Sequence, residues 1–215
     1  MVAAVTTVVT SLHQVESMFG LTRSRSASFF TEWHTHLPDL TAGEEAALDR
    51  IKTSYLHNSA DGPLSESTIN LLLVSPLLYL SGFCDPPFKL RGEVTVDIAV
   101  EESGQTLRGR IDALVLQERF WLLLAESKQT KLSFSIVIPQ LLTYMMGYAH
   151  DTSPLFGMVT NGDGCLFIKL LKQPQPTYAL SDDFSLFRQS RNELYPVLQI
   201  LQRIGKSLGQ DTTQA

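Results

Sequence analysis

The sequence predicts an α/β sandwich, a central mixed sheet flanked by helices, with an N-terminal helical extension. Three observations predict it. Helical periods dominate up to about residue 81, an alternating strand pattern takes over at Gly92, and a further helical run separates the strands that follow into a group of three and a group of two. With 215 residues, 44% of them hydrophobic, there is chain enough for one substantial core.

The elements follow in order. Residues 3–18 pattern as a first helix, SASFFTEWHTHL as a second and AGEEAALDRIKTSYL as a third, in which Ala47, Leu48, Ile51 and Leu56 recur near the helical period. The loop His57–Ser67 is the longest polar punctuation. A strongly apolar helix is expected from about Ser65 to Ser81, kinked at Pro76. In GEVTVDIAVEE, Val94, Val96, Ile98 and Val100 alternate with Thr95, Asp97, Ala99 and Glu101, which marks a half-buried strand. Residues 106–117 and 119–128 complete an antiparallel meander. A helix over 135–149, with Pro139 near its first turn, leads to two strands around Asn161-Gly162-Asp163-Gly164, a strong hairpin turn. Leu194, Leu198, Leu201 and Ile204 share one face of a final helical region over 182–208. The organisation expected is an N-terminal helical extension over 1–57, a core over 58–175 and a C-terminal helical segment over 176–215 packing on that core.

Composition narrows the compartment and the partners. Cys84 and Cys165 follow no metal spacing and are too few for a disulfide framework, so a reducing, cytoplasmic setting is expected. MVAAVTTVVTS has no basic residue before it and no small-residue cleavage site, and is expected to belong to the first element rather than to a signal peptide. The most apolar run, Ile69–Phe83, is interrupted by Ser75 and Pro76 and falls short of the roughly 20 residues of a membrane span, so no membrane partner is expected. The net charge of −5 argues against a chain that coats nucleic acid, since such binding rests on a basic surface. Arg108–Lys131 is nevertheless locally positive, with five basic residues against three acidic ones.

That stretch holds the chemistry. Asp112 lies in the second strand of the meander and Glu126 and Lys128 in the third, where carboxylates in apolar strands are costly unless the desolvation is offset. Glu126 and Lys128, two apart, leave the same face. A two-residue turn at Glu118 and Arg119 would give paired residue numbers summing to 237 and set Asp112 away from Glu126. An odd loop or a β-bulge, with a sum of 238, would set the two directly across from one another, and that register is the one expected. Two carboxylates so close repel, and one lysine offsets only part of that charge. A hard divalent cation, Mg²⁺ or Mn²⁺, completes such a set, holding a water near the lysine and stabilising charge on a phosphate. The plain structural alternative is an ion pair between neighbouring strands.

Gly109-Arg110-Ile111-Asp112, a 13-residue gap, Glu126-Ser127-Lys128 and then Gln140-x-x-x-Tyr144 resemble the PD-(D/E)xK nuclease superfamily, in particular the nuclease domain at the N-terminus of type I restriction enzyme motor subunits. The resemblance covers roughly residues 60–172 and implies a restriction-endonuclease-like sandwich and a Mg²⁺-dependent endonuclease of restriction or repair type acting on DNA. It implies that Asp112, Glu126 and the Ser127 carbonyl hold the metal, that Lys128 acts on the water, and that Glu66, on an upstream helix, supports the site. Gln140 and Tyr144, one helical turn apart, would position the nucleotide. The alternatives for these three are a first-turn glutamate that suits the helix dipole, a surface amide and a half-buried ring. No P-loop pattern occurs, so DNA translocation is not implied. A second reading is a catalytically silent chain of the same fold that binds nucleic acid or scaffolds a complex, with Phe29, Phe30 and Trp33 of the N-terminal helices offered to a protein partner or a second copy. His34 and His36 are expected to be solvated and to hold no metal.

Overall fold

Capping chemistry divides the N-terminal run expected as one helix. In the computed structural model, which describes residues 2–100, 105–115, 119–124, 134–147 and 153–212, a short strand β1 (Val2–Ala4) leads to a single turn α1 (Val5–Val8) and then to α2 (Leu12–Phe19). Ser11 stops and restarts the chain with a capping box: the Gln14 amide donates to Ser11 Oγ while Gln14 Oε1 accepts from the Ser11 amide. Gly20, with φ of +61°, closes α2, and β2 (Thr22–Arg23) follows. SASFFTEWHTHL, expected to be helical, forms only a 3₁₀ turn at Thr31–Trp33. The third helical pattern becomes α3 (Ala42–Asn58), capped by Thr41 and Glu44 in a second reciprocal box.

The apolar helix expected over 65–81 forms as α4 (Glu66–Ile69), a π-helical turn over Asn70–Val74 and α5 (Ser75–Leu80). The Ser75 amide reaches back five residues to the Asn70 carbonyl, which re-registers the helix just ahead of Pro76, a residue with no N–H to offer the α pattern. The expected kink is thus taken up as a π insertion.

Eight strands among the described residues form one mixed sheet. β3 (Leu90–Val100), β4 (Gln105–Val115) and β5 (Phe120–Leu124) make the antiparallel meander, and α6 (Phe134–Met146) crosses over to β6 (Leu155–Thr160), parallel to β5. Pro139 is the sixth residue of α6, not a first-turn residue as expected, because the helix already begins at Phe134. β7 (Gly164–Leu171) returns antiparallel through the Asn161–Gly164 turn, and β8 (Thr177–Ser185) adds a further antiparallel strand before α7 (Leu194–Thr212). The segment over 176–215, expected to be helical, therefore opens with a strand. The N-terminal extension also enters the sheet, since β1 runs parallel to β4 and β2 parallel to β8.

The sheet separates two cores. Alternate residues Phe120, Leu122 and Leu124 of β5, Phe156 and Met158 of β6, and Phe167 of β7 pack with α3, α4, α5 and α7. The intervening Trp121, Leu123, Leu155, Val159 and Ile168 pack with α1, α2 and α6. The period-two burial on central strands is what a sheet covered on both faces demands.

Candidate functional site

The β4–β5 ladder sets the geometry around Asp112. Its pairs are Ala113↔Leu122, Leu114↔Trp121 and Val115↔Phe120, so the paired numbers sum to 235 and four residues connect the strands. The odd loop expected here is not the one the chain has. Arg119 is buried, and its guanidinium donates to the Pro154 carbonyl from Nε at 3.4 Å and from Nη2 at 3.3 Å. That contact ties the start of β5 to the residue before β6. Continued regularly, the register sets Asp112 level with Leu123, three residues short of Glu126. Glu126, Ser127 and Lys128 lie outside the described residues.

Asp112 has a neighbour that the sequence pattern did not single out. Gly92↔Ala113 and Val94↔Ile111 flank it in the β3–β4 ladder, which sets Glu93 beside Asp112, while Thr95 pairs with Arg110 and Asp97 with Arg108. The signal was present in the alternation of residues 92–102, but it becomes a pairing only once the length of the hairpin connection is known. Asp112 also stands at a fork. β1 lies along residues 106–108 of β4 and β5 along residues 113–115, so Gly109–Asp112 occupy the interval between two partner strands.

The carboxyl ends of β5 and β6 close the same end of the sheet. Leu124, two residues before Glu126, pairs with Thr160, and the Asn161–Gly164 turn follows at once. The turn is tightly tied: Thr160 Oγ1 donates to the Gly164 carbonyl at 2.8 Å and accepts from the Gly162 amide at 3.1 Å, and Asn161 Oδ1 accepts from the Gly164 amide at 3.1 Å. Tyr55 of α3, buried, donates its hydroxyl to Asp163 Oδ1 at 3.0 Å. Burial, with the Asp163 charge adding to it, pushes the Tyr55 phenol above its ordinary range. A Cβ on Gly162 would lie 2.4 Å from the Tyr55 hydroxyl and 3.0 Å from Ile69 Cδ1. Ile69 is one helical turn after Glu66, so the start of α4 sits against this turn at the end of the sheet toward which β5 runs.

The predicted residues thus divide. Asp112 and the helix of Glu66 are brought to one end of the sheet. Gln140 and Tyr144 lie on α6, which covers the opposite face from α4. Gln140 is half-buried, and Tyr144, 1% exposed, is a member of the second core. Phe29, Phe30 and Trp33 are drawn into the first core, Phe30 at 2% exposed and the other two packed against it. Their surface is spent within the chain because the segment that carries them is a turn folded onto the sheet, with Glu32 pairing to Lys169 of β7 at 2.7 Å. Among the described residues no group of three or more His, Cys, Asp or Glu converges as a metal cage, and no helix is long and apolar enough to cross a membrane. No family model matches the chain, and no curated protein matches it.

Proposed function

We propose that the chain is a Mg²⁺-dependent endonuclease that hydrolyses DNA phosphodiester bonds on a restriction-endonuclease-like fold. The observation that carries this reading is the meeting, at one end of the sheet, of Asp112, the carboxyl end of β5 two residues ahead of Glu126-Ser127-Lys128, and the helix that opens with Glu66. Ligands of open α/β sheets gather at the carboxyl ends of strands, where loops leave the rigid frame. The order of elements, a meander followed by a crossover helix and a parallel strand, is compatible with the expected sandwich. The proposed donor set is all hard oxygen, the carboxylates of Asp112, Glu126 and Glu66 and the Ser127 carbonyl, which suits Mg²⁺ or Mn²⁺ and not a thiophilic metal. A bound divalent ion supplies Lewis-acid stabilisation of the phosphate and lowers the pKa of its water. Lys128 would orient the attacking water, and Asp112, carried on a strand, would help hold the ion.

The test is cleavage of plasmid and single-stranded DNA with Mg²⁺ or Mn²⁺, beside Asp112→Ala and Lys128→Ala. Wild type is expected to cleave only with metal, and each variant to lose about 100-fold or more. Equal backgrounds from all three proteins across both metals would leave the nuclease reading without support and favour a silent chain that binds nucleic acid or scaffolds a complex.

A further inference from the structure

We propose that Lys52, Arg188 and Arg191 form a binding site for a phosphate oxyanion, independent of the nuclease reading above. Arg188 and Arg191 lie in the loop between β8 and α7, and both reach the same atom. Arg191 Nε donates to Glu193 Oε1 at 2.6 Å, and Arg188 Nε stands 2.9 Å from that oxygen. The Glu193 side chain is 2% exposed, whereas those of Arg188 and Arg191 are 50% and 64% exposed. One guanidinium is enough to balance a carboxylate. A second, held beside the first, adds like-charge repulsion and the ordering of a long side chain with no further anion to meet. Only the Nε groups are used on Glu193, and among the described residues no partner takes the Nη groups, so two planar N–H forks remain available to solvent.

The loop is tied down on several sides. Lys52 of α3 crosses to it and donates from Nζ to the Arg188 carbonyl at 2.7 Å and to the Arg191 carbonyl at 3.4 Å, which fixes the ammonium to the backbone of both arginines. One of its three N–H groups is left over. Asp49, one turn earlier on α3, accepts from Asn192 Nδ2 at 2.9 Å and from the Tyr195 hydroxyl at 3.0 Å. Asn192 Oδ1 in turn accepts from the Leu194 amide at 3.0 Å, capping the start of α7. At the other end the Leu186 amide donates to the Asp163 carbonyl at 2.9 Å, which joins the loop to the Asn161–Gly164 turn. Three cations against Glu193 leave positive charge in excess, and counting Asp49 as well does not cancel it. A carboxylate ligand would occupy one fork alone. Two forks and an ammonium on a fixed base suit a phosphate group, whose oxygens take paired N–H donors from arginine and a point charge from lysine.

The experiment titrates the full chain with inorganic phosphate at constant ionic strength, chloride making up the balance, and reads the proton–nitrogen NMR signals of the arginine Nε–H groups. Wild type is expected to show saturable shifts at Arg188 and Arg191, and Arg188→Gln and Arg191→Gln each to weaken binding about 10-fold. Arg188→Lys keeps the charge but not the fork, and is expected to recover only part of that loss. Lys206→Gln, which removes an exposed cation further along α7, is expected to bind as wild type does. A second arm, a short DNA duplex titrated at several salt concentrations, separates the sources of the phosphate. A salt slope reduced by about 1–2 in Arg188→Gln/Arg191→Gln assigns the site to a nucleic-acid backbone. DNA binding that is absent, or unaltered in that variant, assigns it to free phosphate or a phosphorylated small molecule. Shifts in phosphate no larger than those in chloride, or a double variant that binds phosphate as wild type does, overturn the proposal and leave the arginines as structural partners of Glu193. Because no arm uses metal or cleavage, the nuclease reading stands or falls separately.

Discussion

Replacing Gly162 with alanine should be among the most damaging single-methyl changes available in this chain. Two costs add. At φ of +88° an L side chain is strained, which costs roughly 1–2 kcal/mol. The new methyl would stand 2.4 Å from the Tyr55 hydroxyl and 3.0 Å from Ile69 Cδ1, and forcing an atom into a packed core costs about 1–3 kcal/mol. The sum is about 2–5 kcal/mol, or a fall in Tm of roughly 4–20 °C for a chain of this size. Gly20→Ala is the control, because Gly20 has a similarly positive φ of +61° but nothing within 4 Å of its Cβ position. That variant isolates the backbone cost alone. Urea denaturation of both, at equal m-values, separates strain from crowding. If Gly162→Ala proves no more destabilising than Gly20→Ala, the joint among Tyr55, Gly162 and Ile69 is not tightly packed, and the reasoning that places α4 through it fails.

Two further outcomes concern charge. Lys169 and Glu32 pair at 2.7 Å with both side chains only 12% exposed, and Glu32 Oε2 has no partner. Lys169→Met is therefore expected to cost about 3–5 kcal/mol by stranding a buried carboxylate, with much of it recovered in Lys169→Met/Glu32→Leu; a double variant as unstable as the single one would contradict this. Tyr55 and Tyr178 both have phenols pushed up from the ordinary 10.0, by burial first, then by Asp163 and by Glu16 respectively. A folded-state pKa raised above the unfolded value means stability that is complete below pH 10.0 and is lost as pH rises past it, so Tyr55→Phe/Tyr178→Phe should flatten the alkaline limb of a stability–pH profile, and an unchanged limb would refute the assignment.

Much of the frame was legible because its signals are local. The alternation in residues 92–100 and the Asn161–Gly164 turn each carry their structure within a few residues, and β3 and the β6–β7 hairpin form where expected. The N-terminal region was not legible in the same way. Residues 3–18 pattern as one helix, but the reciprocal Ser11–Gln14 cap and the pairing of Val2–Ala4 with β4 outweigh that period. Phe29, Phe30 and Trp33 looked like an exposed apolar surface because nothing nearby in sequence covers them; their cover comes from the distant sheet. At the candidate site the register between β4 and β5 depends on the four residues that connect them, which no local pattern encodes. Glu93 was missed for the same reason, since cross-strand neighbours depend on loop length.

The two short N-terminal strands have a consequence for how the chain is made. Val2 pairs with Thr106 and Thr22 with Thr177, so these short strands wait for partners 104 and 155 residues downstream. Sheet closure therefore has high contact order and falls late, after β8 has emerged, and until then β4 and β8 each have an edge open to mispairing. A chain cut to residues 58–175 would carry that exposure permanently, lacking β1, β2 and β8 together, and is expected to aggregate where the full chain folds.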